Sequence, residues 1–494
     1  IGTELVGEHT GGYAEFVVDI TEAVARYRAS ALAQLPATES RVAPGRIPLA
    51  VRCDNSRDPE TIPSDLSDFT RYGGLYRPVH LVYLPAGGIT RVHAAPTERG
   101  DGSWQVAFKV QLDGSHGSHK SHEGVLTVRV ISPDGREIAT AKVPVPAGAE
   151  SLDVPGIALP APQLWSPASP ALYGVEVTAG DSRVWERFGL RTFEFVEKGP
   201  FKLNGERLLL RGTHRHEDHA GLGAAMSDEL MEQEIRLMKA MGVNFIRLGH
   251  YQQSRRILEL CDELGLLVWE EIPWCRGGLG GGRYQAQARG MLEAMIHQHY
   301  NHPAVILWGL GNENDWPGDF PEFDQAKIRA FMTELNALAH RLDPGRLTSI
   351  RRCDFCRDLV DVYSPSIWAG WYGGQFSEYA KSARREFEKS RRFFHAEWGG
   401  DSHAGRHAED PYARLREIPA TGATEERGLD FMDIGGKARV SRDGDWSESY
   451  ICELVDWHLK EQEKMDWLTG SAMWVFKDFA TPPRPENPVP RGNQ

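Results

Sequence analysis

A chain of 494 residues is too long for one ordinary domain; at about 150 residues per domain it divides into roughly three, or two if one is a large barrel. With 41% hydrophobic and 10% aromatic residues, a mean hydropathy of -0.43 and no run of about 18 apolar residues, it describes a soluble globular enzyme without a membrane span. A net charge of -13, from 56 basic against 69 acidic residues, argues against nucleic acid or an anionic membrane surface as partner, because both demand a basic patch.

The six cysteines, Cys53, Cys261, Cys275, Cys353, Cys356 and Cys452, are scattered and form neither a disulfide framework nor paired metal knuckles. The C-x-x-C of RRCDFCRD has no partner pair, so Cys353 and Cys356 read as buried or loop thiols. The chain begins IGTELVGEHTGG and ends VPRGNQ, without an initiator Met, and reads as a fragment. A signal peptide would lie upstream, which leaves the compartment open, a periplasmic or secreted one being favoured.

Residues 1–86 carry short runs (AEFVVDI, IPLAVRC, PVHLVYL) split by Gly, Pro and Asp, which predict a truncated, jelly-roll-like β-sandwich. Residues 87–195 hold SWQVAFKVQL, GVLTVRVI, ATAKVPV, LYGVEVTA and RVWERFGLRTFEF at the spacing of an immunoglobulin-like sandwich. Within them DGSHGSHKSHEG, rich in Gly and Ser as well as His, predicts an exposed hairpin loop rather than a metal tract.

From residue 196 to 494 the rhythm changes to eight apolar runs: RLLLRG, NFIRLG, LLVWEE, AVILWGL, RLTSIR, DVYSPSI, RFFHAEW and SAMWVF. Segments such as DELMEQEIRLMKAMG, apolar at helical spacing, separate them. Eight strands alternating with helices predict a (β/α)8 barrel, whose chemistry sits where strands end on the C-terminal face. The strand ends carry Arg215, His216, Glu217, His250, Tyr251, Glu270, Glu271, Asn312, Glu313, Trp368, Glu397 and Trp474. Carboxylates in such a pocket are costly unless paired or used.

Retaining glycoside hydrolysis needs two carboxyl groups roughly 5 Å apart, one protonated and one ionised. Glu313 ends the fourth run and Glu397 the seventh, so they can meet only in the fold. Repulsion and burial would raise the pKa of the proton donor, while Arg247 or a strand-end aromatic would hold the other as carboxylate.

In RYGGLYRPVHL, LLLRGTHRHEDH, NFIRLGHY, LGLLVWEE, VILWGLGNEND and FFHAEWG the chain resembles glycoside hydrolase family 2, the β-galactosidase, β-glucuronidase and β-mannosidase group. The resemblance covers nearly the whole chain and implies a retaining exo-β-glycosidase acting on an oligosaccharide or glycoside. It makes Glu313 the acid/base, Glu397 the nucleophile and Asn312 the partner of the sugar 2-hydroxyl. It also carries over Arg247, His216 and His250 as shaping the subsite, Trp474 as its aromatic floor, and Asp68 as a group reaching in from the first domain. Glu271 is expected as a hydrogen-bonding rim residue. The family has Asn where His214 stands and Tyr where Trp368 stands, with Tyr372 as a substitute hydroxyl. Cys275 and Gly277 near the magnesium-ligand positions put that metal site in doubt, and neither metal nor cofactor is expected. RGGLGGGRY predicts a flexible loop over the subsite. β-Galactosidase activity leads, with β-glucuronidase as the alternative and an inactive carbohydrate-binding or scaffold protein as a third, less favoured reading; the glucuronidase Asn and Lys would fall at Asn493 and just past the last residue. A homo-oligomer is compatible with the family.

Overall fold

A computed structural model describes residues 1–30, 46–64, 67, 69–114, 124–159, 161–318, 320–372, 375–402, 404–405, 407 and 447–481. Seven strands form the sandwich: β1 (Ile89–Glu98), β2 (Trp104–Leu112), β3 (Gly124–Ile131), β4 (Glu137–Val145), β5 (Ser151–Leu159), β6 (Tyr173–Ala179) and β7 (Ser182–Phe188). They pair antiparallel as β1-β2-β5 against β4-β3-β6-β7. Alternation explains the core: Val106, Phe108 and Val110 on β2 face Leu126, Val128, Val130, Val175 and Val177 from the other sheet, all buried. The histidine-rich stretch falls mostly on residues 115–123, outside the described residues.

A small antiparallel sheet of β8 (Phe193–Phe195), β9 (Phe201–Leu203) and β10 (Glu206–Arg207) leads into the barrel. Its eight parallel strands are β11 (Leu210–His214), β12 (Phe245–Leu248), β13 (Leu267–Glu271), β14 (Val305–Asn312), β15 (Leu347–Arg351), β16 (Val362–Ser364), β17 (His395–Gly399) and β18 (Gly470–Trp474). Each overlaps one of the eight expected runs. The ladder runs β16-β15-β14-β13-β12-β11-β18-β17. Tyr363 N donates to Arg392 O, Phe394 N to Tyr363 O, and Ala396 N to Ser364 Oγ, which closes the seam between β16 and β17.

Helices pack outside the strands because they are amphipathic and stopped by polar caps. On α2 (Asp228–Ala240) Ser227 Oγ accepts from Leu230 N, and α3 (Arg255–Leu264) is capped by Ser254 and ends at left-handed Gly265. Then come α4 (Gly282–His299), α5 (Gln325–Leu342), α6 (Tyr379–Lys389) and α7 (Glu448–Glu463), here numbered after a first helix, α1 (Thr21–Ala29).

Among the described residues of 1–86, α1 is the one regular element and no residue joins a sheet. Alternating apolar residues form a ladder only against a neighbouring strand; without one, Val17, Val79, Leu81 and Val82 remain exposed. This segment instead lies along the barrel mouth. Tyr13 stacks on Tyr251 with centroids 4.3 Å apart. Arg77 donates to Glu217 Oε1 at 2.9 Å, to Gln252 O and to Tyr13 O. Glu60 accepts from Gly281 N at the start of α4, so the loop part of RGGLGGGRY, residues 276–281, is pinned at its far end by the first segment, while Arg276 N donates to Asn312 O at 2.7 Å.

Candidate active site

Short strands end their side chains at one level, and that level holds a buried ion network. Arg247, from β12, is fully buried and donates to Glu271 Oε1 and Oε2 at 2.9 and 3.0 Å, to Glu397 Oε1 at 2.7 Å and to Asn312 Oδ1 at 2.9 Å. Glu271 also meets His250 Nδ1 at 2.7 Å. Burial opposes ionisation of Glu271, yet Arg247 and His250 outweigh it and hold the carboxyl below its ordinary value. Both Glu271 oxygens are thus engaged by Arg247 and His250 at the end of β13. Glu270 is equally buried, accepting from Gln253 N at 3.2 Å and facing His299 Nδ1 at 2.7 Å.

Glu313 and Glu397 come together, as their strand positions anticipate. The residue between them was missed. Arg351, the last residue of β15, is fully buried; its Nη1 reaches Glu313 Oε1, and its Nη2 lies 2.9 Å from Glu397 Oε2 and 3.1 Å from Ser366 Oγ. Two carboxyl groups held by the two ends of one planar guanidinium suit the roughly 5 Å of a retaining pair better than the wider gap of an inverting one. Arg352 sits 3.9 Å from Glu313 and 3.2 Å from Asp315. The signal for Arg351 was available: RLTSIR ends in arginine, at the same level as the other strand ends.

Backbone geometry aims these groups. Glu313 has φ 53°, left-handed for a non-glycine residue, a conformation costing on the order of 1 to 3 kcal/mol. Its N–H donates to Arg351 O at 2.9 Å, which ties the end of β14 to β15. A side chain at Gly309 would run into Glu271 and the indole nitrogen of Trp269, so glycine lets β14 lie against β13 here.

The aromatic residues divide into two groups. Trp474 stacks on His250 at 5.2 Å and 21° and meets His214 and His216 edge-on or tilted. His216 stacks on Phe479 at 3.9 Å, and its Nδ1 is 3.2 Å from Tyr251 Oη. Burial first, then the neighbouring His250 and arginines, push the His216 imidazole well below its usual pKa, so it is neutral; His214, whose ring nitrogen Nε2 meets Ala396 O, follows the same rule. Trp368 and Tyr372 pack edge-to-face at 5.0 Å in a cluster with Trp371 and Trp398. The ordering of Glu397 comes from Arg247 and Arg351. Asp68 lies outside the described residues, but its neighbour Phe69 is buried against His216, His250 and Tyr251.

Cys275 Sγ lies 3.5 Å from Asn312 Nδ2, and among the described residues no group of three or more His, Cys, Asp or Glu could hold a metal ion. Cys353 and Cys356 are buried free thiols. No described helix is long and apolar enough to cross a membrane.

A (β/α)8 barrel behind an antiparallel sandwich, with buried acids at the ends of its fourth and seventh strands, is the architecture to which the family comparisons also point. Residues 195–418 match the model "Glycosyl hydrolases family 2, TIM barrel domain" and residues 88–191 match "Glycosyl hydrolases family 2". The chain belongs to glycoside hydrolase family 2. A solved β-glucuronidase of Parabacteroides merdae is 53% identical with a TM-score of 0.92, over 99% of this chain and 60% of that one. The apo structure of Bacteroides uniformis beta-glucuronidase 3 is 53% identical with a TM-score of 0.86, over 99% and 59%. A Thermoanaerobacter pseudethanolicus beta-galactosidase is 30% identical over 74% of this chain and 46% of its own length. The chain spans 57% and 53% of curated relatives from Formosa agariphila and Bacteroides fragilis.

Proposed function

We propose that the chain is the catalytic portion of a retaining exo-β-glycosidase, and that its substrate is a β-glucuronide, from which it releases glucuronic acid. The observation that carries the reaction class is the guanidinium-spanned pair of Glu313 and Glu397. In the first half-reaction Glu313 gives its proton to the glycosidic oxygen while a Glu397 oxygen bonds to the anomeric carbon and the leaving group departs. In the second, Glu313 takes a proton from water, whose oxygen attacks the same carbon and frees the Glu397 carboxylate. Arg247 fixes the attacking carboxylate, and Asn312, its Oδ1 turned to Arg247 and one amide hydrogen to Cys275 Sγ, keeps its second N–H for the 2-hydroxyl.

For the sugar, sequence alone put galactoside first. The 53% identity to two β-glucuronidases across 99% of the chain, against 30% to a β-galactosidase over 74%, favours the glucuronide. The test is the full-length protein on aryl β-glucuronide, β-galactoside, β-mannoside and α-L-arabinopyranoside, with Glu313→Gln and Glu397→Ala alongside. Glucuronide should be cleaved fastest. Glu397→Ala should lose on the order of 10⁴-fold in kcat; Glu313→Gln should lose about 10² to 10⁴-fold in kcat/KM on substrates with poor leaving groups and far less in kcat/KM on dinitrophenyl ones. Full activity in either variant would refute the assignment; faster galactoside cleavage would refute the sugar.

A further inference from the structure

We propose that Arg351 is the stationary counterion of a charge that changes sides, pairing with Glu397 before glycosyl transfer and with Glu313 after it. The inference rests on the glycosidase reading above and adds a positioning residue to it.

In a double displacement the two carboxyl groups together carry one negative charge at each resting stage. Before reaction it is on Glu397, with Glu313 protonated. In the covalent intermediate Glu397 is a neutral ester and Glu313, its proton given to the leaving group, is the anion. A cation serving one carboxylate alone would lose its partner at one stage, and an unmatched charge in a buried site is costly. Arg351 avoids this by geometry. Its Nη1 is bonded to Glu313 Oε1 and its Nη2 lies 2.9 Å from Glu397 Oε2, so either anion is matched without a rotamer change. Ser366 Oγ, 3.1 Å from Nη2, and complete burial fix the fork. Lysine, a point charge, has no such fork.

The other charged groups facing the pair have different duties. Arg247 reaches Glu397 but is also matched by both oxygens of Glu271, which His250 shares. Arg352 is 3.9 Å from Glu313 and nearer to Asp315, at 3.2 Å. Among the described residues, Arg247 is paired with Glu397 and Arg352 with Glu313, each with one carboxyl group of the two.

The experiment uses the full-length protein on its best aryl glycoside, with pH profiles and pre-steady-state bursts for Arg351→Met and Arg351→Lys. Loss of the cation makes the Glu313 proton harder to remove, so in Arg351→Met the alkaline limb of kcat/KM should move up by roughly one unit or more. Deglycosylation, which needs Glu313 as an anion, should become limiting: kcat falls on the order of 10²-fold, KM falls with it, and a burst of nitrophenolate appears. Arg351→Lys keeps the charge and so the position of the limb, but loses the bridge and about tenfold or more in kcat. An unmoved limb without a burst in Arg351→Met overturns the inference. If that variant does not fold, a parental kcat in Arg351→Lys overturns it. Parental protein that neither cleaves aryl glycosides nor forms a covalent adduct would instead sink the glycosidase reading.

Discussion

Arg247 shows how a single residue joins stability to the site. It is fully buried beside Glu271, also fully buried, and removal of one partner of such a pair leaves an unmatched charge. Arg247→Met should therefore cost about 3 to 5 kcal/mol in urea unfolding, whereas Arg247→Met combined with Glu271→Gln should recover most of that stability without activity. The comparison separates a folding role from a chemical one. At this scale sequence found most of the network: Arg247, His250, Glu271, Asn312, Glu313 and Glu397 are joined by hydrogen bonds, directly or through Arg351. It missed Arg351 because arginine after an apolar run looks like a solvated strand end; the strand-end position was legible, but that the guanidinium points between two acids appears only in the closed barrel. It also could not foresee that Trp368 and Tyr372 pack on each other.

Among the elements, the eight barrel strands were readable because a strand buried on both faces must be a continuous apolar run. All eight residues of β14, VILWGLGN, are buried. The runs of the first segment have a similar look, but alternation specifies a face and not a partner, and its described residues hold no strand. The seam between β16 and β17 is the thinnest part of the barrel. There the Ala396 N–H, next to Glu397, donates to Ser364 Oγ at 2.9 Å rather than to a backbone carbonyl. Ser364→Ala would strand that buried donor, at about 1 to 3 kcal/mol. A lower thermal midpoint with reduced kcat is expected, while Ser364→Thr, which keeps the acceptor, should retain the midpoint better.

For the whole molecule, buried neutral histidines set the acid limit. Burial lowers His458 to about 4 and His395 to about 3, and His93, at the junction of β1 and α4, to about 4. Below pH 6.5 the unfolded chain takes up protons that the folded one refuses, so stability falls as pH drops from about 6.5 towards 4. Each group contributes on the order of 3 kcal/mol at most. Thermal midpoints measured across that window should fall steadily, and His458→Phe, set between Trp398 and Tyr379, should flatten part of the slope. The latch of the first segment belongs to this scale as well: Arg77→Ala, losing contacts to Glu217, Gln252 and Tyr13, should raise proteolysis within residues 1–86 and weaken substrate binding.

Trp165 lies in the stretch between β5 and β6, yet its side chain is counted among the barrel's own core, fully buried, with the indole nitrogen donating to Asp262 O at 2.9 Å. Asn204 Nδ2 grips its carbonyl from the other side at 3.1 Å. Sandwich and barrel are therefore mortised like carpentry, Trp165 being one tenon beside the contacts of His93 and Arg191. Expressed without its neighbour, the barrel would bare an oily notch the size of an indole, and the heat trace of the intact pair should melt as one peak rather than two.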